Sequence, residues 1–232
     1  MPDNILDIRN LDAGYGRSQV IFNLSMSIPA RGGVAILGRN GVGKTTLMKA
    51  IAGELPTTGG SLTFAGQDIT RLPTEQRTRA GVGYVPQEHA VFSRLSVRDN
   101  LAVGAISNPN KRAVDHILDI FPKLGQRLDQ SAGTLSGGER KMLAIGRALL
   151  TEPKMLLLDE PTEGVWIGVI EEITDRLKLL AQDIAVVVVE QNLDLALRVA
   201  TIAHVLDRGR IGMTGPTDTL RSDPRLLQFL AP

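Results

Sequence analysis

The sequence predicts an α/β protein with a mainly parallel central sheet. Three runs are apolar at every position, namely Val34–Leu37, Met155–Leu158 and Ile184–Val189, and helix-like stretches lie between them. Continuous apolar runs are typical of parallel strands that are covered on both faces. The chain has 232 residues, of which 43% are hydrophobic, so it can bury a large core. We expect residues 1–232 to form a single domain.

The first part of the chain has the pattern of an antiparallel β subdomain. Ile5–Leu11 and Val20–Ile28 alternate loosely between apolar and polar residues around the turn-rich segment Asp12–Arg17. Ser61–Phe64 precedes a turn at Ala65–Gly66. Alternation around turn residues favours strands that pair with their neighbours. We therefore predict an N-terminal antiparallel sheet ahead of the parallel one.

The segment from about residue 88 to residue 150 has the pattern of successive helices and lacks apolar strand-like runs. Ser96 with Asp99 is a plausible helix N-cap, and Lys111–Phe121 carries apolar residues at helical spacing. Glu139–Leu150 continues the series. These features predict a helical subdomain inserted into the α/β core.

The last part of the chain contains a predicted hairpin and a predicted terminal helix. Val205–Asp207 and Ile211–Met213 flank the turn Arg208–Gly209–Arg210, which favours two antiparallel strands. Thr219–Leu230 has the length and composition of a helix. We expect both elements to pack on the end of the core.

Composition and charge exclude several classes of function. Lys plus Arg number 26 against 25 Asp plus Glu, so the net charge of +1 cannot hold a nucleic-acid backbone, and we expect no nucleic-acid partner. The absence of cysteine excludes disulfides and thiolate-ligated zinc. The longest apolar run, Ile184–Val189, is far shorter than the roughly 20 residues of a membrane-spanning helix. Met1–Asn10 shows no secretory signal, which favours a cytoplasmic location.

The spacing of the histidines predicts no metal site, and the spacing of the arginines in one segment predicts no nucleic-acid site. Surface or packing roles are expected for all three histidines, which lie far apart: His89, His116 and His204. Acidic and polar residues separate the arginines of Arg71–Arg79, so this segment is predicted to be a solvated face rather than a nucleic-acid patch.

A glycine-rich segment follows the first apolar run directly and precedes a helical pattern. It consists of Gly38, Arg39, Asn40, Gly41, Val42, Gly43, Lys44, Thr45 and Thr46. This is the spacing of a phosphate-binding loop, in which backbone N–H groups and the helix N-terminus face the phosphates. Lys44 would neutralise the β- and γ-phosphates, and Thr45 would offer its hydroxyl to Mg²⁺. An ordinary glycine-rich turn is the alternative, and it leaves the lysine unexplained.

Two acidic residues, Asp159 and Glu160, follow the second apolar run. Ligands of such sheets bind beyond the carboxyl ends of the strands, so this pair and the glycine-rich loop converge on one crevice. Asp159 is predicted to hold Mg²⁺, and Glu160 to orient or deprotonate the water that attacks the γ-phosphate. The alternative is that the two acids mark a strand end that meets solvent.

Small GTPases, kinases and helicases share these two motifs, so a third string discriminates between classes. It is Leu135-Ser136-Gly137-Gly138-Glu139, ahead of the acidic pair. Ser136 and the N–H groups of Gly137 and Gly138 would open a helix and form a second anion site, remote from the chain's own phosphate loop. The string resembles the signature motif of ATP-binding-cassette (ABC) ATPases, and the order of motifs matches that family over nearly the whole chain.

This resemblance implies a phosphate-loop NTPase core that binds ATP and Mg²⁺. In the family, two ATPase domains sandwich two ATP molecules, and each signature motif closes on the partner's γ-phosphate. The implied partners are a second ABC ATPase subunit, identical or different, and integral membrane permease subunits that dock on the helical subdomain. A solute-binding protein is an indirect partner. The implied location is peripheral, on the inner face of the cell membrane.

The resemblance also assigns roles to two residues outside these motifs. Tyr15 matches the family's aromatic residue that stacks on adenine, although a turn tyrosine is often only a surface residue. Gln87, at the end of Tyr84–Gln87, matches the glutamine that senses Mg²⁺ and the attacking water while leading into the helical subdomain.

The sequence departs from the family pattern at Gln191, where relatives usually have a histidine that contacts the γ-phosphate. An amide can donate a hydrogen bond but cannot carry the charge of an imidazolium. The resemblance assigns Gln191 that contact. The segment Val189–Gln191, at the end of the third apolar run, resembles the ATPase subunits of branched-chain amino acid and urea importers. The segments Leu37–Lys44, Ala80–Gln87 and Glu160–Gly164 resemble the same subunits.

A second departure is the segment Val165–Gly168. The family generally has an aspartate where this chain has Trp166. The sequence leaves open whether Trp166 is exposed or buried against a partner, and how this loop crosses the dimer interface.

The resemblance favours the ATP-hydrolysing subunit of an importer with separate transmembrane chains and a branched-chain amino acid or urea as cargo. The alternative is a soluble cassette ATPase of DNA repair or translation, but those proteins resemble tandem cassettes or cassettes split by coiled coils. A phosphate-loop kinase or nucleotide switch leaves Leu135–Glu139 without a role.

Overall fold

Two β-sheets and a set of surrounding helices form the fold in the computed structural model, which describes residues 4–190 and 193–230. The strands are β1 (Asn4–Tyr15), β2 (Ser18–Pro29), β3 (Gly32–Leu37), β4 (Thr57–Phe64), β5 (Gln67–Asp68), β6 (Val82–Val85), β7 (Met155–Asp159), β8 (Ala185–Val189), β9 (Ile202–Asp207) and β10 (Arg210–Pro216). The helices are α1 (Lys44–Ala52), α2 (Thr74–Ala80), α3 (Val97–Gly104), α4 (Ala113–Ile120), α5 (Pro122–Gly125), α6 (Gly137–Leu149), α7 (Ile167–Leu180), α8 (Leu193–Val199), α9 (Thr217–Arg221) and α10 (Pro224–Leu230).

The smaller sheet is antiparallel, with the strand order β2-β1-β4-β5, as the sequence predicts. The predicted turn over Asp12–Arg17 is too long, because β1 continues to Tyr15 and pairs with Ser18 across a two-residue turn. Register shifts within the β1–β2 pair accommodate the extra residues, which is why the alternation in the sequence is only loose.

The larger sheet has the strand order β10-β9-β3-β8-β7-β6. Strands β3 and β6 to β9 are parallel, and β10 is an antiparallel edge strand. The three apolar runs are confirmed as β3, β7 and β8. Strand β6 was not predicted, because its four residues contain Gly83 and Pro86 follows them directly.

Both faces of the larger sheet are covered, which explains why its central strands are apolar at every position. Alternate residues such as Ile36, Leu157 and Val187 pack with α1 and the antiparallel sheet. The intervening residues Leu156 and Val186 pack with α6, α7 and α8. Two apolar layers therefore hold the carboxyl ends of β3, β7 and β8 side by side.

The segment between β6 and β7 is helical, as predicted. Ser96 caps α3 by accepting a hydrogen bond from the backbone N–H of Asp99. Helix α4 begins at Ala113, two residues later than the predicted Lys111, and α6 begins at Gly137. These helices pack into one cluster with the outer face of the parallel sheet.

The predicted C-terminal hairpin is confirmed as β9 and β10, and it turns at Arg208 and Gly209, which both have positive φ angles. The prediction of a single terminal helix over Thr219–Leu230 is wrong, because α9 ends at Arg221 and α10 begins at Pro224. Proline has no N–H to donate and disfavours helical backbone in the residue before it.

The predicted solvated face at Arg71–Arg79 is wrong for Arg77, which is buried. Its guanidinium donates to the carbonyl oxygens of Ala50 and Ile51 at 2.6 and 2.9 Å. It also donates to the carbonyl oxygens of Leu72 and Thr70. Arg77 therefore caps the last turn of α1 from α2, and a charge count along the sequence could not identify this role.

The histidines have the surface or packing roles that the sequence predicts. His89 and His116 are exposed, whereas His204 is buried on β9 and its Nδ1 hydrogen-bonds the Thr214 hydroxyl at 2.9 Å. Within residues 4–190 and 193–230, no group of side chains has the arrangement of a metal-binding cluster. None of the described helices has the length and hydrophobicity needed to cross a membrane.

Candidate nucleotide-binding site

A cavity of about 430 Å³ opens at the carboxyl ends of the parallel strands. Strand β3 delivers the glycine-rich loop to it, and β7 delivers the acidic pair. Strand β8 lies between β3 and β7, since Val187 of β8 pairs with Val34 of β3 and with Leu157 of β7. The glycine-rich loop and the acidic pair therefore lie on either side of β8. The residues that line the cavity are Val20, Asn40, Gly41, Gly43, Lys44, Thr45, Thr46, Gln87, Glu160 and Glu163.

The glycine-rich loop needs glycine at particular positions for steric reasons. Gly38 has a φ of 150°, and a Cβ there would lie 2.5 Å from the carbonyl oxygen of Leu206. Gly43 has a φ of 109°, and a Cβ there would lie 2.9 Å from Ile21. The loop thus passes close to neighbouring chain segments before α1 begins at Lys44. Its backbone N–H groups and the positive end of α1 form an anion site.

The ammonium group of Lys44 is held within the loop. Its Nζ donates to the carbonyl oxygens of Gly38 and Arg39 at 2.8 and 3.0 Å, and it lies 3.9 Å from the carboxylate of Glu160. Burial lowers the pKa of Lys44, and the carboxylates of Glu160 and Asp159 oppose this shift. A buried cation beside an anion site matches the charge of a polyphosphate.

The carboxyl group of Asp159 is buried at the end of β7. Tyr84 places its hydroxyl 3.5 Å from one carboxylate oxygen, and Thr45 also hydrogen-bonds the group. Among the described residues, Oδ1 of Asp159 has no hydrogen-bond partner. Burial raises the pKa of Asp159, while the Thr45 hydrogen bond and Lys44 oppose that shift. An unsatisfied buried carboxylate oxygen beside a threonine hydroxyl fits a hard cation such as Mg²⁺.

Glu160 has a left-handed backbone, with a φ of 48°. Its N–H donates to the carbonyl oxygen of Val189 at 2.9 Å, and its carboxylate accepts a hydrogen bond from Gln87 at 3.0 Å. Burial raises the pKa of Glu160, whereas Lys44 opposes the shift. The raised pKa suits a group that takes up a proton during a reaction.

Gln87 follows β6 and lies between two carboxylates. Its Nε2 donates to Glu160 at 3.0 Å and to Glu163 at 2.7 Å. The backbone behind this pair is fixed by Glu190, a buried carboxylate that accepts hydrogen bonds from the N–H and hydroxyl groups of Thr162. The structure therefore brings Gln87 and the acidic segment into contact.

Sequence reasoning missed three residues of this site. Val20 and Glu163 line the cavity, and Lys141 reaches the backbone of Gln87 and Glu160 from α6. Glu163 lies within Glu160–Gly164 and Lys141 lies two residues after Leu135–Glu139, but charged residues in such segments are usually solvated. The packing of α6 behind the cavity distinguishes Lys141, and the hydrogen bond from Gln87 distinguishes Glu163.

Several predicted residues lie away from the cavity lining. Arg39 is exposed on the loop and Val42 is half-buried behind it. Tyr15 lies at the tip of the β1–β2 hairpin with 48% of its surface exposed, and Val20 of the same hairpin lines the cavity. The hairpin tip is thus on the rim of the site. Gln191 lies outside the described residues.

Ser136, Gly137 and Gly138 lie at the start of α6, away from the cavity, with Ser136 exposed, Gly137 half-buried and Gly138 buried. The Ser136 hydroxyl and backbone N–H interact with the carboxylate of Glu139 in a capping box, as the helix-opening role predicts. A Cβ on Gly137 would lie 3.2 Å from the carbonyl oxygen of Gly164, so the segment after the acidic strand packs against this turn.

Trp166 and Ile167 are the large apolar side chains of that neighbouring segment. They are 74% and 59% exposed. The Trp166 ring folds over Gly168, where a Cβ would lie only 2.1 Å from it. The structure thus places an apolar pair in solvent next to the glycine turn of α6.

The fold and this arrangement define a phosphate-loop nucleoside triphosphatase of the α/β class. A glycine-rich loop with a buried lysine faces a carboxylate pair, and a glycine turn that begins at the exposed Ser136 opens a separate helix. Residues 21–163, more than half of the chain, match the ABC transporter family. The chain belongs to this family, and it is an ATP-binding, ATP-hydrolysing cassette.

Curated relatives match nearly the full length of the chain. It is 37% identical over 226 residues to the high-affinity branched-chain amino acid transport ATP-binding protein BraG of Pseudomonas aeruginosa, which covers 96% of this chain and 97% of the relative. It is 38% identical over 215 residues to the probable branched-chain amino acid transport ATP-binding protein LivF of Archaeoglobus fulgidus, with 90% and 91% coverage.

Solved structures confirm the fold class. A nucleotide-free ATP-binding cassette from an ABC transporter superimposes with a TM-score of 0.87 at 27% identity, covering 99% of both chains. The ADP conformation of the cassette MJ1267 superimposes with a TM-score of 0.85 at 29% identity, covering 97% of this chain and 98% of that one.

Proposed function

We propose that the chain is the ATP-hydrolysing subunit of an importer for branched-chain amino acids or a related small solute such as urea. Residues 1–232 act as one catalytic domain, with a helical subdomain at about residues 88–150. The resemblance of BraG and LivF over almost the whole chain supports this cargo class. The observation that carries the ATPase role is the cavity in which Lys44, Gln87 and Glu160 meet.

ATP binds with its phosphates in the loop and its adenine at the hairpin tip. The loop N–H groups from Gly38 to Thr46 and the start of α1 surround the phosphates, and Lys44 exchanges its carbonyl partners for phosphate oxygens. Tyr15 stacks on the adenine, for which its exposure and its position on the rim are suitable.

Thr45 and Asp159 would hold Mg²⁺, and Gln87 would offer a third oxygen. The orphaned, buried Oδ1 of Asp159 supports this assignment. Bound Mg²⁺ supplies charge neutralisation to the phosphate oxygens. Tyr84 keeps the Asp159 carboxylate oriented through its hydroxyl.

Glu160 accepts the proton of the attacking water. Gln87 orients the Glu160 carboxylate and this water. The hydrogen bond from Gln87 positions the carboxylate, and the raised pKa of Glu160 increases its basicity. Lys44 stabilises the charge that develops on the phosphoryl group. Catalysis therefore consists of positioning and electrostatic stabilisation.

Gln191 contributes a hydrogen bond to the γ-phosphate or to the backbone that positions it. This assignment follows from the resemblance and remains a prediction. Gln191→Ala is expected to slow turnover by about 10²-fold with ATP affinity much less affected. Gln191→His should introduce a titration near pH 6.5. Turnover measured against pH would test both, and full activity of Gln191→Ala would make this residue a bystander.

A second ATPase subunit, identical or different, completes each site. The helix start formed by the exposed Ser136, the half-buried Gly137 and the buried Gly138 binds the γ-phosphate of the partner's ATP, and the exposed pair Trp166 and Ile167 is buried in the same interface. ATP binding closes the dimer and hydrolysis reopens it.

Permease subunits dock in a groove of about 750 Å³ between α2 and the helical subdomain. Its lining combines exposed apolar residues such as Ile106 and Val103 with charged ones such as Glu75 and Arg147. Mixed grooves of this kind suit an amphipathic segment of another protein. The chain then sits at the inner face of the membrane, a solute-binding protein is an indirect partner, and no nucleic acid takes part.

Two substitutions test the ATPase roles by separating binding from turnover. Lys44→Ala should abolish productive ATP binding, because the phosphate charge loses its fixed counter-charge, while Glu160→Gln should keep binding and lose turnover. Equilibrium ATP binding and phosphate release are measured for both, with the exposed Glu171→Gln as the control. Turnover at the parent rate in Glu160→Gln would refute its role as the base.

Transport itself is tested in cells. Deletion of the gene should abolish uptake of labelled leucine or urea, and the tagged chain should co-purify with integral membrane proteins. Co-purification with ribosomes or DNA-repair proteins and normal uptake of both solutes would favour the alternative, a soluble ABC ATPase of translation or DNA repair.

A further inference from the structure

Lys141 projects from α6 into the space behind the acidic strand. Its Nζ donates to the backbone carbonyl oxygen of Gln87 at 2.9 Å and to that of Glu160 at 3.1 Å. Lysine side chains on helices mostly extend into solvent and keep their conformational freedom. Lys141 is instead partly buried, and it joins two loops that meet at the cavity.

The carbonyl that Lys141 holds belongs to a strained residue. The left-handed backbone of Glu160 is unfavourable for a residue with a Cβ, and such conformations persist only when their surroundings hold them. The N–H of Glu160 donates to Val189 at 2.9 Å, and its carbonyl accepts from Lys141 at 3.1 Å and more weakly from the N–H of Glu163 at 3.3 Å. These hydrogen bonds hold the backbone of Glu160 on both sides of its Cα.

The same ammonium group fixes the residue that contacts the Glu160 carboxylate. Lys141 holds the Gln87 carbonyl, while the Gln87 amide donates to the Glu160 side chain at 3.0 Å. Three residues therefore form a closed ring of hydrogen bonds. Burial lowers the pKa of Lys141, and its charged form is favoured by the carboxylates of Glu163, Glu190, Asp159 and Glu160.

We propose that Lys141 is a positioning residue for ATP hydrolysis, which keeps Glu160 in its left-handed turn and its carboxylate aimed into the cavity. This rests on the proposed role of Glu160 as the base. Because Lys141 and the Ser136 turn share α6, movement of that helix when a second subunit binds would be transmitted to Glu160. The lysine thereby connects the chain's two nucleotide-facing surfaces.

Steady-state hydrolysis by the full chain tests the proposal. Lys141→Met keeps the length of the side chain and removes its donors, so kcat should fall by about 10- to 100-fold. The KM for ATP and the equilibrium ATP affinity should change by less than about threefold, since the phosphate loop is untouched. Lys141→Arg should recover part of the rate, and the exposed Lys111→Met should match the parent.

A double-mutant cycle distinguishes positioning from general damage. If Lys141 acts through Glu160, then adding Lys141→Met to Glu160→Gln should not lower the residual rate further. An equal additional loss in that background, or loss of ATP affinity together with turnover, would show a merely structural role and overturn the proposal.

The result for Glu160→Gln alone separates this proposal from the one on which it rests. Parent-like turnover of Lys141→Met beside an inactive Glu160→Gln would overturn the Lys141 proposal only. Parent-like turnover of Glu160→Gln would overturn the assignment of the base, and the role of Lys141 with it.

Discussion

Asp159 has a buried carboxylate whose Oδ1 meets no hydrogen-bond partner among the described residues. Burial raises the pKa of Asp159, so folding of the nucleotide-free chain favours its neutral form. The corresponding stability is fully present below the ordinary pKa of aspartate and is lost as the pH rises through the raised pKa. A residue suited to bind a cation is therefore unfavourable for stability at neutral pH.

Replacing Asp159 with Asn should raise the Tm of the nucleotide-free chain at pH 7, because a neutral amide avoids the cost of a buried charge. The gain should be a few degrees, since about 1 kcal/mol shifts the Tm by roughly 2–4 °C at this chain length. It should shrink towards pH 3, where the parent carboxyl is also neutral. Thermal unfolding across this pH range is the measurement.

Asp119→Asn, at an exposed position on α4, is the matched control and should show no such trend. A Tm of Asp159→Asn below that of the parent at pH 7 would mean that contacts with Thr45 and Lys44 outweigh the burial of the charge.

At the scale of elements, α1 and α2 are joined by the buried guanidinium of Arg77. This group donates to the carbonyl oxygens of Ala50 and Ile51 in the last turn of α1. The first residue of α1 is Lys44, which belongs to the phosphate loop. The outer face of α2 lines the groove proposed for the permease. One side chain thus connects that groove with the helix that carries the phosphate loop.

Arg77→Ala should lower the free energy of unfolding by about 3 kcal/mol, because several buried carbonyl groups lose a charged donor. Urea unfolding with an unchanged m-value would measure the loss. Arg79→Ala on the same helix is the control, since its ion pair with Glu75 is exposed and worth no more than about 1 kcal/mol. Equal effects of the two substitutions would contradict the capping role.

Local signals predicted the elements well where one signal dominated. The Ser96 cap and the apolar run of β7 each identified their element, because a side-chain cap and double-sided burial act over a few residues. The signal failed for β6, where glycine and proline hide a strand that its neighbour β7 completes. It also failed at Pro224, where a single proline divides the terminal helix.

For the whole molecule, Trp166 offers a direct probe of subunit association, because it is the chain's sole tryptophan and is 74% exposed. In the Glu160→Gln background, ATP should shift its emission to the blue and raise the sedimentation coefficient as two copies associate. Burial of an indole against a partner removes it from water.

Ser136→Arg should abolish both changes without greatly weakening ATP binding to one subunit, because the bulky side chain fills the surface proposed for the partner's phosphate. Unimpaired association of the Ser136→Arg, Glu160→Gln double variant would contradict the role of this turn. If the parent chain and the Glu160→Gln variant both stay monomeric with ATP, the partner is a different ATPase.

The sequence by itself determined the fold class, the phosphate loop, the acidic pair and the family. These features are contiguous motifs, in which spacing along the chain already dictates the local geometry. The Ser136 cap belongs to this group, since it depends on Glu139 three residues later, whereas Gly38 and Gly43 are also required by the close approach of Leu206 and Ile21 from distant parts of the chain.

Only the tertiary structure decided which charged side chains are buried and which carbonyl groups they reach. Arg77 and Lys141 occur in polar segments that are indistinguishable from solvated surface, yet each satisfies backbone groups from distant parts of the chain. The left-handed backbone of Glu160 is likewise sustained by contacts with α6 and β8. Burial and long-range hydrogen bonds arise from the packing of elements far apart in sequence, so no local pattern encodes them.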